Sequence, residues 1–439
     1  MTVTKMNKVK VIGAGLAGCE AAWQLCKRGI DVELYEMKPS CFSPAHTREG
    51  FAELVCSNSL KAEYLSNASG LLKAEMKALD SLIMQAAEAS RLPAGGALAV
   101  DRDAFSGFIT ERLSSHPHVE VKRERMDEIP EGPVIIATGP LTHEALADKI
   151  MALPGFGSLH FFDAEAPIVT YDSLDMTKVF AASRYDKGDA DYLNCPMTEE
   201  EYNAFYDALI SAETAEVHDF DKKMVFEGCI AVEILASRGR QTLAFGPLKP
   251  VGLTDPNTGK MPYAVVQLRR DNLSGSLYNI VGFQTRLKFS EQKRVFSMIP
   301  GLEKAEFARY GVMHKNTYLN SPDVLSDNYA VKGNPLFRFA GQMTGVEGYM
   351  ESAGSGLVAG IGMSQILLGK EEPDFGELTI LGALSNHVKT PTHDFQPMNS
   401  NFGILPPLDH KQRNKKLRYE EVSARSLSAL NEIIAKYDL

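Results

Sequence analysis

The sequence predicts an α/β fold: a doubly wound, Rossmann-like domain split in two along the chain, with a mixed α+β domain inserted between its parts. Three stretches predict it. A glycine-bearing βαβ unit opens the chain at 8–37, an apolar strand ends in Ala-Thr-Gly at 132–139, and a second glycine-rich strand-to-helix passage follows at 334–360.

The first stretch reads KVKVIGAGLAGCEAAWQLCKRGIDVELYEM. Val9, Val11 and Ile12 form a short apolar strand, Gly13, Gly15 and Gly18 supply GxGxxG, residues 20–28 follow helical period, and Val32, Leu34 and Tyr35 make a second strand. Gly13 permits the tight turn. Gly15, flanked by Ala14, Leu16 and Ala17, lets backbone approach a pyrophosphate, and Gly18 lets the helix lie on the strand, so the helix's free N–H groups face the phosphates. Glu36 ends the second strand, where a carboxylate accepts both hydroxyls of an adenosine ribose.

A chain of 439 residues, 44% hydrophobic, suffices for two or three domains. It shows no cleavable leader and no unbroken apolar run of about 18 residues, so a cytoplasmic protein without a membrane anchor is expected. Its six cysteines (Cys19, Cys26, Cys41, Cys56, Cys195 and Cys229) form neither CxxC nor a Cys/His spacing, which predicts reduced thiols and no metal. A net charge of −10 argues against broad nonspecific binding of nucleic acid but leaves room for a local basic face.

After the second strand, residues 38–58 leave regular structure. Cys56 precedes a helical run expected over 60–89, with Asn58 or Ser59 as its N-cap. Two readings of Cys56 follow: a thiol drawn toward thiolate by a helix end, or a half-buried small side chain. GGALAV at 95–100 and an amphipathic helix over 104–113 read as a crossover back to the sheet. GPVIIATG then places Thr138 and Gly139 where a strand closes on the cofactor.

Between about 154 and 326 the pattern becomes that of a mixed or antiparallel sheet, with strands expected at 180–183, 242–245, 263–268 and 278–282. A helix is expected over 199–212, with Thr198 and Glu201 as capping box and Cys195 structural. A second GxGxxG is missing, so any nicotinamide donor binds transiently. Cys229 has Arg238, Arg240 and Lys249 downstream, cations that favour a thiolate; a buried free thiol is the other reading.

The third stretch, NPLFRFAG followed by QMTGVEGYMESAGSGLVAG, offers Gly341, Gln342 and Gly345 for close backbone approach and a helix whose N-terminus faces the pyrimidine end of an isoalloxazine. An NAD domain has no use for this distant segment. The three together specify a Rossmann-like FAD-binding domain of the glutathione-reductase type.

GAGLAGCEAA, VCSNSL at 55–60, FEGC with RGRQTLAFGPLKPVGL, AGQMTGVEGYMESAGSG and FQPMNSNFGILPPL at 395–408 span nearly the whole chain. In these stretches the chain resembles the bacterial folate- and FAD-dependent tRNA (uracil-5-)-methyltransferases, relatives of the larger GidA flavoproteins, which lack the last signature. Ala231 departs from the family's proline two residues after the FEGC cysteine. The resemblance implies C5-methylation of the T-loop uridine of tRNA, with methylenetetrahydrofolate as one-carbon donor, FAD as cofactor and NADPH or NADH as transient reductant. It implies Cys229 as the nucleophile that adds to C6 of uracil and Cys56 as an assistant beside the flavin. Arg238, Arg240, Lys249, Arg269, Arg270, Arg286 and Lys288 are candidates for the negative charge of folate and RNA. The run Lys411, Arg413, Lys415, Lys416, Arg418 is either a further RNA contact or a solvated helix face. The expected organisation is 1–155 and 327–405 for the FAD domain, 156–326 for the insert facing substrate and RNA, and 406–439 for a basic helical tail. The same chemistry on ribosomal RNA, and a small-molecule flavin oxidoreductase, are the alternatives; oligomeric state is not readable.

Overall fold

The computed structural model describes residues 8–186, 189–215, 230–392 and 395–439. A six-stranded sheet runs in the order Ala330–Val331, Asn334–Phe339, Val134–Ile136, Val9–Ile12, Val32–Tyr35, Val119–Lys122. All neighbours are parallel except the first pair. Strands from both ends of the chain thus lie side by side, with Phe337 opposite Val134 and Ile12 opposite Ile136. Val9, Val11, Ile135, Ile136 and Phe339 are fully or almost fully buried, which is why these strands read as continuous apolar runs rather than alternating ones.

The helices Leu16–Cys26 and Tyr349–Leu367 cross in close contact. A Cβ on Gly356 would stand 2.1 Å from the Ala17 carbonyl oxygen, and one on Gly360 2.8 Å from that of Ala21. The glycines of the third stretch therefore let two backbones touch, bringing both helix N-termini to one edge of the sheet.

A second, antiparallel sheet has the order Phe180–Ala181, Tyr192–Met197, Ala264–Arg270, Leu277–Ile280, Ile168–Thr170, Phe307–Arg309. It has its own core, including Tyr202, Phe205, Phe283 and Phe296. The ribbon Ser158–Ala164 with Met313–Leu319 pairs where the chain leaves and returns to the first sheet. Glu199–Ile210 is helical and carries the capping box expected at Thr198 and Glu201.

Several local expectations are corrected. The run 60–89 is a strand, Ser59–Ala62, followed by helices Ala68–Ala78 and Leu82–Ala89. The two helices separate at Asp80, whose φ is +58°, and Ser81 restarts the second by accepting from the Met84 amide. Ala97–Val100 joins Ser59–Ala62 and Arg91–Leu92 in a small antiparallel sheet, not the parallel one. The following helix is longer than its apolar period, Arg102–Ser114, because Asp101 caps it. Thr242–Phe245 is one helical turn between Gly239 and Gly246 rather than a strand. The flanking glycines, not the β-prone side chains, decide the conformation there.

Candidate functional site

The three glycines of the first turn have separate tasks. Gly13 sits at φ +97°, with the Ala137 carbonyl 2.7 Å from where a Cβ would be, and a Cβ on Gly18 would lie 1.8 Å from the Gly13 carbonyl oxygen. Those two are demanded by the fold itself. Gly15, the N-cap of Leu16–Cys26, has nothing within 4 Å of its missing Cβ, so its backbone faces open space.

That space is a cleft of about 1190 Å³ including its mouth. Gly13, Ala14, Gly15, Leu16, Ala17, Glu36, Thr138, Gly139, Gly341 and Gln342 all line it. Gly18 lies behind the turn. Gly345 does not line the cleft: at φ +86°, its missing Cβ would stand 2.4 Å from the Phe395 ring, so packing against that ring already demands a glycine here. Gly341, at φ +85°, and Gly139, at φ +73°, are strained positions for any other residue. Glu36 is buried and held in place by the amides of Ala14 (3.1 Å) and Lys38 (3.0 Å).

Sequence reading missed a polar group on the same wall. Lys38 and Glu53 form a buried pair at 3.5 Å, and Glu53 also accepts from the amides of Thr47 and Arg48. Burial opposes ionisation, but those amides together with His46 and Lys38 hold Glu53 below the usual carboxylate range. Burial first, and then Lys38, push His46 down, and its Nδ1 lies 2.6 Å from Ser43 Oγ. These side chains come from an irregular loop with no periodicity; a cluster of polar residues directly after the second strand was the only signal.

Cys56 does not stand at a helix N-terminus, because Ser59–Ala62 is a strand and Asn58 is no cap. Asn58 is fully buried and donates to the carbonyls of Val100 (3.1 Å) and Arg270 (2.9 Å). The Cys56 and Ser57 amides donate to the Tyr349 hydroxyl at 2.8 and 3.2 Å, and Tyr349 lines the cleft. Three arginines clamp this loop. Arg102 donates to the carbonyls of Leu54 and Cys56, Arg309 to that of Val55 (2.6 Å), and Arg269 to Asn58 Oδ1 (3.0 Å) and Ser57 Oγ (2.7 Å). Arg102 also pairs with the buried Asp271 at 3.2 Å. The guanidinium groups of Arg102 and Arg269 interact electrostatically with the Cys56 thiol.

Arg269 is therefore a buried strut between the sheets, not an exposed anion ligand. Arg240 pairs with Asp207 at 2.5 Å and covers the Tyr206 ring, Arg286 lies 3.8 Å from Glu233, and Lys288 pairs with Glu213 at 2.7 Å. Arg238 and Lys249 are exposed. Cys195 is fully buried and burial pushes its thiol up, as suits a structural residue. Cys229 lies outside the described residues. Its described flanks are tied down, Ala215 N–H to the Arg286 carbonyl (2.8 Å) and Val232 N–H to that of Gln284 (2.7 Å). In the tail, Asn414 caps the helix Lys415–Tyr437, and Lys411, Arg413, Lys415, Lys416 and Arg418 are exposed. Among the described residues no helix is long and apolar enough to cross a membrane.

The model of the family Glucose inhibited division protein A matches residues 8–371. Methylenetetrahydrofolate--tRNA-(uracil-5-)-methyltransferase TrmFO of Acetivibrio thermocellus is 58% identical, over 98% of this chain and 100% of its own length. The protein of that name from Lactobacillus delbrueckii subsp. bulgaricus is 59% identical, over 97% of each. Among solved structures, Aquifex aeolicus GidA in its form I crystal has a TM-score of 0.68 at 16% identity, over 98% of this chain and 76% of that one, a likeness of fold.

Proposed function

This chain belongs to the Glucose inhibited division protein A family, among its methylenetetrahydrofolate--tRNA-(uracil-5-)-methyltransferases, and from that membership we propose that it methylates C5 of the T-loop uridine in tRNA. The one-carbon donor is methylenetetrahydrofolate, the cofactor FAD, and the reductant NADPH or NADH. The observation that carries this reading is the cleft: an open glycine turn, a fixed carboxylate and two helix N-termini at one edge, with the Cys56 loop clamped to its rim.

FAD suits these residues. The open backbone at Gly15 leaves room for a pyrophosphate beside the amides of Gly13 to Ala17, Glu36 would take the ribose hydroxyls, and Thr138 and Gly139 would hold the cofactor from the facing strand. Gly341 and Gln342, on the same cleft, would hold the isoalloxazine end. Bound there and reduced by NADPH or NADH, the flavin would supply the two electrons that take a methylene-level carbon to a methyl group.

The remaining work falls to the chain. C5 of uracil is a poor nucleophile until something adds at C6; the Cys229 thiolate adds there, C5 becomes enolate-like, and after transfer the C5 proton leaves as the sulfur is expelled. Cys56 assists from the flavin side, held by Tyr349 and Arg102. Residues 156–326 form the insert facing substrate, between the two parts of the FAD domain, 1–155 and 327–405, and the exposed lysines of 406–439 meet RNA phosphates.

The test is direct. Purified protein is yellow and releases FAD on acid precipitation, and with labelled methylenetetrahydrofolate, NADPH or NADH and a tRNA transcript it yields 5-methyluridine by nucleoside mass spectrometry. Colourless protein that FAD cannot reconstitute, or yellow protein that leaves tRNA unmethylated, overturns the reading.

A further inference from the structure

Three aromatic rings form a ladder at the edge of the second sheet. Phe307 packs against that sheet's core. Tyr310 stacks on it, centroids 5.1 Å apart and planes 10° from parallel, and Phe289 stacks on Tyr310 at 4.8 Å and 16°. The ladder begins against the core and ends in water, for Phe289 is 54% exposed. A large ring at the end of a stack, half of it in solvent, presents a flat face on which a further ring can stack.

Its position is specific. Arg309, between Phe307 and Tyr310 in sequence, donates to the Val55 carbonyl immediately before Cys56. Residues 284–288, which lead into Phe289, bind both described flanks of the segment that carries Cys229, through Arg286 to Ala215 and Gln284 to Val232. The ladder is thus fixed to the loop of one thiol and to the roots of the other. Lys288 precedes the exposed ring, and Lys293, four residues on, shares its helical face; both are exposed. The Lys288–Glu213 pair is open to water at both ends, with side chains 51% and 72% exposed, so it yields readily to a stronger anion.

A flat apolar ring bracketed by ammonium groups has the chemistry that binds a nucleotide, base on ring and phosphates on cations. We propose that Phe289 is a stacking site for one unpaired base of the RNA substrate, beside the reacting uridine, with Lys288 and Lys293 meeting its phosphates. This rests on the RNA-methylating reading above. Every base offers a π-face, so the site holds the loop open without choosing its sequence.

The experiment uses the full-length holoenzyme as wild type, Phe289→Ala and Phe289→Tyr, with tRNA transcripts carrying 2-aminopurine at each nucleotide flanking the target. Phe289→Ala should raise the Kd for tRNA about tenfold or more, and Phe289→Tyr should restore it. At one flanking position the 2-aminopurine fluorescence should be quenched by wild type and Phe289→Tyr but not by Phe289→Ala. Flavin spectrum, melting temperature and affinity for methylenetetrahydrofolate should match in all three. An unchanged tRNA Kd in Phe289→Ala overturns the proposal, as does weakened folate binding with RNA binding intact, which would give the ring to the pterin. Wild type that neither binds nor methylates tRNA overturns the methylation reading itself. Wild type and Phe289→Ala that bind and methylate equally well overturn only the stacking site.

Discussion

The parallel and antiparallel sheets contribute to the site in different currencies. Along the parallel sheet the geometry lies in the backbone: Gly13 at φ +97°, Gly341 at φ +85°, and Gly18 pressed onto the Gly13 carbonyl. The antiparallel sheet contributes long side chains instead, with Arg269 and Arg309 reaching across to the Cys56 loop. A site made from turns keeps its residues adjacent in sequence. One made from reaching side chains joins positions far apart along the chain and leaves no local trace.

If that division is functional as well, cofactor binding and methyl transfer come apart under mutation. Cys229→Ala should abolish 5-methyluridine formation while leaving the protein yellow, reducible by a nicotinamide donor and able to bind RNA. Cys195→Ala, whose sulfur is fully buried in the second core, should act nearly as wild type. RNA containing 5-fluorouracil should give wild type an adduct that survives denaturing electrophoresis and is absent with Cys229→Ala. Trapping on another cysteine would move the nucleophile.

Within the first sheet the glycines separate in the same manner. Gly18→Ala forces a Cβ to 1.8 Å from a backbone oxygen that has nowhere to go, a clash expected to cost upward of about 4 kcal/mol and to appear as a collapsed melting temperature. Gly15→Ala meets nothing within 4 Å and should fold normally, yet lose affinity for FAD in a titration of the apoprotein. A Gly15→Ala protein that binds FAD as wild type does would show that the open space is not where the pyrophosphate sits.

The seam between the sheets ranks next. Asp271→Ala strands the buried Arg102 guanidinium, and breaking one side of such a pair costs about 3–5 kcal/mol in chemical denaturation. Arg91→Ala, in a pair exposed to solvent, should cost no more than about 1 kcal/mol. Equal losses would mean that the seam carries no more than an ordinary surface bridge.

These contrasts explain what the sequence could and could not disclose. The conformations at Gly13, Gly18, Gly139 and Gly341 were readable because each glycine reports a backbone requirement within a few residues, and the order of the segments brings Glu36 and Thr138 to the same cleft. Gly345 marks the limit of such signals: a glycine reports positive φ, but not whether a cofactor or a ring such as Phe395 fills the space beside it. Arg269 read as a cation for substrate because charge is visible in sequence and burial is not; its partners Ser57 and Asn58 lie 212 and 211 residues earlier in the chain. The helical run expected over 60–89 failed where tertiary pairing with Ala97–Val100 overrode an apolar period.

Glu75, on the helix Ala68–Ala78, tests the comparison from outside both sheets, since it is a reaching side chain with no motif. It is fully buried and accepts from the amides of Ile380 (2.8 Å) and Leu381 (2.9 Å) and the hydroxyl of Ser426 (2.6 Å), tying three helices together. Burial pushes its carboxyl up from 4.5 to about 7, against the pull of those three donors. A folded-state pKa above the unfolded value means that the folded protein holds the proton more tightly. The contribution to stability is thus complete below pH 4.5 and is lost as pH rises through about 7. At about 1.4 kcal/mol per unit, the loss is roughly 3.5 kcal/mol at most. Glu75→Gln cannot titrate, so wild type should lose stability relative to the variant between pH 5 and 8 in parallel urea melts. If the two instead stay parallel over that range and wild type loses stability against the variant only below about pH 4.5, the three hydrogen bonds outweigh burial, and Glu75 is an ionised cap of the helix Ile380–Lys389 throughout.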